Sequence, residues 1–355
     1  MNAEILVSPE RFEIVTSRYP TLRVAVIGDF CLDRYLEIDA TKKETSIETG
    51  LPVHNVINVR AQPGGAGTIV NNLAALNIGS IYPVGFCGMD GEGYELLRAL
   101  KARPGVVLDY FIQTSLRRTF TYCKPLMMES GQAPRELSRL DSKNWTPTPK
   151  PLQDRLTATL AALIQEVDTI IVLDQVDIPE TGVVTHRVLE AIGTLTRARP
   201  EMLIIADSRR GLRGYPSVAF KMNRAEFSAL TGSPPNLIIE ELKTRSLELA
   251  RQHKRLVFVT AAEAGIVGAS PAGEVDYSPA LPVRGEIDIV GAGDAVTANL
   301  VSSLVAGATL KEALYLANGA ASVVIHQLGT TGTATVDQIR DLVITPAPPS
   351  PSGEE

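Results

Sequence analysis

The stretch Glu286-Ile287-Asp288-Ile289-Val290-Gly291-Ala292-Gly293-Asp294-Ala295-Val296 decides how the rest of the chain is read. An apolar, β-branched run with the character of a core strand meets a turn at Gly291-Ala292-Gly293. A small-residue segment suited to a helix then continues to about Ala306. The two glycines permit positive φ and let a ligand approach the main chain closely. A loop of this kind entering a helix presents unpaired N–H groups, and the helix dipole adds partial positive charge there. Together they make an anion site, most naturally for phosphate. Asp294 admits two readings. As a cap it serves the helix alone; beside a phosphate it would repel the ligand unless it takes a proton from a nucleophilic hydroxyl. Loop amides plus one base are the minimum of a phosphoryl-transfer site.

The bulk properties narrow the field. A chain of 355 residues, 45% hydrophobic, can build one large α/β domain or two smaller ones. A net charge of −6 without a basic stripe argues against nucleic acid as a partner. The three cysteines, Cys31, Cys87 and Cys123, have no metal-ligand spacing and read as reduced packing residues of a cytoplasmic protein. No signal-peptide pattern opens the chain, and no apolar run is long enough to span a bilayer, so no membrane partner is expected.

Working outward, Ser8-Pro9-Glu10 is a helix start, and Leu22–Ile27 is an apolar strand of the kind buried on both faces of a parallel sheet. It ends in Gly28-Asp29-Phe30-Cys31-Leu32-Asp33. Ligands of open α/β sheets bind beyond strand carboxyl ends, which places Asp29 and Asp33 where a substrate is held. Strands ending at Asp174 and Asp207 alternate with helices near 151–166 and 182–197, so the sheet is parallel with right-handed crossovers. Residues 35–60 and 106–128 lack helical periodicity and suggest strands outside the main sheet. Pro63-Gly64-Gly65-Ala66-Gly67-Thr68 opens a helix that carries Asn72, without a Walker lysine or a dinucleotide fingerprint. Arg209, in the cationic loop Asp207–Arg213, suits bidentate phosphate contact. Asn223 and Glu226 form a capping-box pattern. His326 reads as structural, and the Pro/Ser/Glu-rich end of the chain, 341–355, reads as a disordered tail, chiefly from Thr345.

Asp288-x-x-Gly291-Ala292-Gly293-Asp294 resembles the D-x-x-G-A-G-D signature of ribokinase-like (PfkB-type) carbohydrate kinases, with Val290 where members often carry Thr. The G-D-x-x-L-D segment, the Gly64-Gly65 turn, Asn223-x-x-Glu226 and Thr260-x-x-x-x-Gly265 are similar to further family motifs and follow in family order. The resemblance spans about residues 23–339, and Arg139-Leu140-Asp141 is similar to a triplet of the heptose-phosphate kinases. It implies a doubly wound, mostly parallel α/β fold over residues 1–340 with a small β lid, which in relatives is often a dimer contact.

The resemblance also implies roles. Asp294 is the base, and the amides of Gly291, Ala292 and Gly293 form the anion hole. Asp33, Gly64, Gly65, Thr68, Asn72, Arg139 and Asp174 stand on the sugar side. Thr68 replaces the usual Asn, and the chain after Asp174 reads Gln-Val-Asp-Ile-Pro-Glu instead of Tyr-Ala-Lys-Gly. Asn223, Glu226, Arg209, Thr260, Gly265 and Asn318 stand on the nucleotide side; Glu226 holds Mg²⁺ through water, and Asp288 with Gly329 serves a monovalent cation. The implied activity is ATP-dependent phosphorylation of a sugar or sugar phosphate, closest to heptose 7-phosphate, with Mg²⁺ and K⁺ as cofactors. The alternatives are a ribose, fructose or nucleoside kinase of the same fold, or a member that binds without turnover.

Overall fold

The computed structural model describes residues 7–132 and 134–344. In chain order the main elements are α1 (Pro9–Thr16), β1 (Arg23–Gly28), β2 (Phe30–Thr45), β3 (Pro52–Gly65), α2 (Ala66–Ala75), β4 (Ser80–Gly88), α3 (Gly91–Lys101), β5 (Phe111–Thr114), β6 (Phe120–Met128), β7 (Arg135–Glu136) and β8 (Leu140–Ser142). They continue as α4 (Lys150–Leu163), β9 (Thr169–Asp174), α5 (His186–Ala198), β10 (Leu203–Ser208), β11 (Ala219–Asn223), α6 (Arg224–Thr231), α7 (Ile239–His253), β12 (Val257–Thr260), β13 (Ile266–Ala269), β14 (Val275–Ser278), α8 (Ala292–Val305), α9 (Leu310–Val324) and α10 (Val336–Val343).

Nine strands form the main sheet in the order β14-β13-β12-β11-β10-β9-β1-β4-β5. The seven from β12 to β5 run parallel, and β13 and β14 add an antiparallel edge. Alternation along the central strands builds two cores at once. Val24, Val26, Ile171 and Leu173 face the core that holds α2, α8 and α9, whereas Ala25, Ile27, Ile170 and Val172 face the core of α4, α5 and α7. A strand buried on both faces needs apolar residues at every position, and β9 is buried throughout. The expected doubly wound fold is the observed one.

A second, five-stranded sheet rises from the carboxyl end of β1. The long β2–β3 hairpin pairs antiparallel, β6 joins β2 in parallel, and β7 and β8 pair with β6. This is the expected lid, with one correction. Residues 111–114, placed in the lid region from sequence, form β5 and pair with β4 as the last strand of the main sheet.

A second correction falls on the opening stretch. Residues 286–290 form no strand: Ile289 is 72% exposed, and Ile287 and Val290 are also exposed. Their backbone is satisfied locally instead. Asp288 N–H donates to the Ile325 carbonyl at 2.8 Å, and Val290 N–H donates to the Asp288 carboxylate at 3.0 Å. A β-branched run marks a strand only where a sheet edge can receive it. At the other end, α10 is held by a Thr335/Gln338 capping box and runs to Val343, so 341–343 are helical. The rest of the expected tail, from Thr345, lies outside the described residues.

Candidate active site

The start of α8 is the centre of the candidate site. Gly291 sits at φ +84°, a conformation costly for any other residue, and a Cβ there would stand 2.7 Å from Thr331 Cγ2. No side chain caps the helix. Among the described residues, nothing accepts from the N–H of Gly293 or Asp294, whereas Ala292 N–H is taken by the Ile289 carbonyl at 3.2 Å. Of the expected anion hole Ala292 is taken and Gly293 stays free, and the Asp294 N–H stands free beside it. At a helix start, two free donors form an anion site.

Lys221, at the middle of β11, completes it. Its ammonium would lie 3.1 Å from a Cβ on Gly293 and pairs with Asp207 at 2.6 Å, both groups largely buried. Burial opposes the charged ammonium, but the Asp207 charge and hydrogen bond outweigh it and raise the Lys221 pKa. Asp294 is pushed up to about 7, first by burial, then by the charges of Asp207 and Asp33, while Lys221 pulls it down. A carboxylate tuned to neutrality beside unpaired amides is what a general base requires. Lys221 and Asp207 were given no role from sequence. The available signal was a lysine inside the buried strand Ala-Phe-Lys-Met-Asn, since lysines are almost never buried unpaired.

Across from this helix start stands Asp33. It is pushed up to about 6 by burial, with Lys124 and Arg139 pulling it down. Gly64 makes room for it: a Cβ there would lie 2.5 Å from the Asp33 carboxylate. Gly65, at φ +57°, turns the chain into α2. Arg139 reaches toward Asp33 from the lid side, paired in bidentate fashion with Asp141 at 3.0 and 2.7 Å and lying 5.1 Å over the Tyr122 ring. These residues come together as the sequence suggested.

Three do not. Thr68 is buried, with its methyl 3.7 Å from the Cβ position of Gly291, so it supports the turn by packing. Asn72 is wholly buried, and its amide donates to the Thr68 carbonyl at 3.0 Å within α2. Asp174 is sequestered: Ser208, Arg210 and Tyr215 donate to one of its oxygens at 2.9, 2.6 and 2.9 Å. A buried carboxylate recruits donors, and here it holds the cationic loop to the sheet. Asp29 is likewise internal, its carboxylate accepting three backbone N–H groups.

On the opposite flank, Asn223 and Glu226 form the expected capping box at 2.8 and 2.9 Å, with Glu226 also raised above the usual carboxylate range by burial. Arg209 pairs with Asp177 at 3.4 Å and lines, with Glu226, a groove of about 330 Å³. Thr260 ends β12, and Gly265, at φ +96°, would place a Cβ against the Ser278 carbonyl. Asn318 has its amide nitrogen taken, donating to Ser278 O, Ser278 Oγ and Pro279 O at 2.8–3.1 Å, so only its side-chain oxygen is left for a base. Asp288 caps its own turn, and Gly329 stands exposed at φ +69°. His326 ties Arg284 N–H to α9, as a structural residue should. The described residues contain no cluster of three metal-ligating side chains.

This fold and helix start define a class, and the chain belongs to it: residues 22–336 match the family model "pfkB family carbohydrate kinase". It is a carbohydrate kinase, a phosphotransferase acting on an alcohol group. Among its relatives, the "Bifunctional protein HldE" of Gluconacetobacter diazotrophicus is 29% identical over 322 residues, covering 90% of this chain and 63% of that protein. The chain thus spans less than two thirds of that relative's length. In structure it resembles an Arabidopsis thaliana ribokinase solved with ribose and ATP, with TM-score 0.65, 21% identity, 91% of this chain and 98% of that one. It also resembles Escherichia coli phosphofructokinase-2 solved with potassium, with TM-score 0.65, 18% identity and the same coverage. At such identities the likeness is one of fold. No helix among the described residues is long and apolar enough to cross a membrane.

Proposed function

We propose that the protein transfers the γ-phosphate of ATP to a hydroxyl of a sugar phosphate, with heptose 7-phosphate the first acceptor to test. The observation that carries this reading is the pairing of an uncapped helix start with a neutral-range carboxylate, Asp294, on one side and Asp33 on the other. Asp33, whose carboxylate occupies the space that Gly64 leaves, accepts from sugar hydroxyls. Asp294 takes the proton of the attacking hydroxyl as its oxygen bonds to phosphorus and the bond to the departing diphosphate breaks. The Gly293 and Asp294 N–H groups and the Lys221 ammonium receive the charge of the moving phosphoryl group.

The site fits a triphosphate terminus, since two donors and a buried ammonium converge where Gly293 has no side chain. Bound Mg²⁺ supplies charge neutralisation on the phosphates. With no three-carboxylate cage among the described residues, the chain would hold it through Glu226 and water, and Asp288 with Gly329 would serve K⁺. Cations favour a phosphorylated acceptor: Lys124 and Arg139 act on Asp33, and Lys143 and Arg209 both reach Asp177 nearby. The lid hairpin exposes Ile47, Leu51, Val56, Ile57 and Val59, an apolar surface suited to a second copy of the chain.

ADP release across free and phosphorylated pentoses, hexoses and heptoses and nucleosides, with and without K⁺, tests the reading. Highest kcat/KM on a sugar phosphate supports it. Preference for a free sugar or nucleoside replaces the acceptor, and no turnover with any makes the protein a binder.

A further inference from the structure

The loop 175–183, between β9 and α5, is held at both ends by one buried carboxylate. Asp29 follows β1 directly and is 2% exposed. One of its oxygens accepts the N–H of Gln175 at 2.8 Å and of Val176 at 3.2 Å, and the other accepts Val183 N–H at 2.6 Å. Gly182 permits the closure, since a Cβ there would collide with the Asp29 carboxylate. Thr148 fastens the middle: its N–H donates to the Glu180 carbonyl at 2.7 Å and its hydroxyl to the Gly182 carbonyl at 2.6 Å.

The fastened loop presents Val176, Asp177 and Ile178 to the lid. They line a recess of about 30 Å³ with Phe120, Tyr122 and Trp145, room for little more than one water. Asp177 binds Lys143 at 2.9 Å and Arg209 at 3.4 Å, closing the gap between lid and sheet. Tyr122 stands directly opposite Asp33 in the β2–β6 register, so an acceptor anchored on Asp33 runs along the lid toward this wall.

We infer that Asp29 is a positioning residue for acceptor selection: by clamping both ends of the 175–183 loop it fixes Asp177 and Ile178 as the wall that limits the far end of a sugar phosphate. This rests on the sugar-phosphate reading above. It gives a physical use to a buried carboxylate that touches neither substrate, and to the segment following Asp174.

The test uses the full chain and heptose 7-phosphate as probe, followed by ADP release and by the fluorescence of Trp145, the only tryptophan. Asp29→Asn replaces one carboxylate oxygen by a donor, so peptides covering 175–183 should exchange their amide hydrogens faster than the rest of the chain. The KM for the acceptor should rise about tenfold while kcat and the KM for ATP stay within about twofold. Asp177→Asn, on a half-exposed side chain, spares the fold and should reproduce the acceptor effect without the exchange effect. Unchanged exchange over 175–183 in Asp29→Asn overturns the clamp. Equal losses for ATP and acceptor in both variants overturn the selective role. If wild-type protein binds the probe by Trp145 fluorescence yet releases no ADP, the kinase reading fails, and the shift in probe affinity still decides the clamp. If Trp145 does not respond to the probe at all, that acceptor is wrong and hydrogen exchange alone decides.

Discussion

Two helices start on either side of Lys221, and they are finished in opposite ways. At α6, Asn223 accepts from Glu226 N–H and Glu226 accepts from Asn223 N–H, so the helix satisfies itself. At α8, Gly291 offers no side chain, two N–H groups stay free, and Lys221 brings a cation to the same spot. Lys221 lies between the two, its ammonium feeling Asp294 on one side and Glu226 on the other. A capped start is complete without a ligand; an uncapped one backed by a buried lysine is complete only with an anion. In the proposed reaction α8 is the helix that reacts and α6 the helix that positions.

The strongest way to break it is Asp294→Asn. Removing a general base costs on the order of 10²–10⁴ in kcat, with ATP affinity retained, as steady-state kinetics and nucleotide titration would show. Retained turnover would show that α8 binds phosphate without doing the chemistry. Next comes pH. The base works ionised, so kcat/KM should fall as pH drops through about 7, the range to which burial lifts Asp294. Lys221 pulls that value down, so Lys221→Met should move the acidic limb to higher pH. It also leaves Asp207 buried and unpaired, at a cost of about 3–5 kcal/mol, which melting would detect. Asp207→Asn removes a charge that raises Asp294 and should move the limb the other way. A limb that ignores both changes would assign the titration to another group.

Gly293→Ala should have a middle-sized effect. Its Cβ meets the ammonium of Lys221 at 3.1 Å, and the ammonium is the mobile end of a flexible chain. Turnover should fall about tenfold, corresponding to ~1.4 kcal/mol of transition-state stabilisation, with little change in melting. The parallel change Gly232→Ala, at the carboxyl end of α6, meets no atom within 4 Å but strains φ +72°, so it should lower stability and spare turnover.

The sheet was legible because double burial leaves apolar runs of one length, and β1, β9 and β10 fell within a residue or two of their expected ends. The turn residues Gly64, Gly65 and Gly291 were legible because their roles depend on a missing Cβ. Side-chain allegiance was not. Asp174 closes β9 and Asp33 lies a few residues beyond the end of β1, yet one carboxylate meets Ser208, Arg210 and Tyr215 while the other packs against Gly64 with no side-chain donor on it among the described residues. Those partners come from 34 to 41 residues away, beyond any local pattern. For the same reason the sequence could not show that the amide nitrogens of Asn318 and Asn72 are taken by backbone carbonyls. Ile287, Ile289 and Val290 misled differently: a β-branched composition says nothing about whether a neighbouring strand is present.

The smallest effect should come from Glu226→Gln, and it sharpens the comparison most. Glutamine keeps an oxygen for Asn223 N–H, so the box can persist while the charge goes. The loss in stability should stay near ~0.5 kcal/mol by melting, as expected for a weakened cap. If Glu226 only caps, turnover should follow stability and barely move. If it also holds a Mg²⁺-bound water, the apparent Mg²⁺ requirement should rise several-fold with no stability loss beyond that small one, and Glu226→Ala should add a stability loss of about 1 kcal/mol on top. Its carboxyl is already raised by burial, then by the charge of Asp207, which costs energy that a cap alone does not require. That cost favours the second outcome: α6 is closed on itself through one oxygen of Glu226, and the other has no hydrogen-bond partner among the described residues.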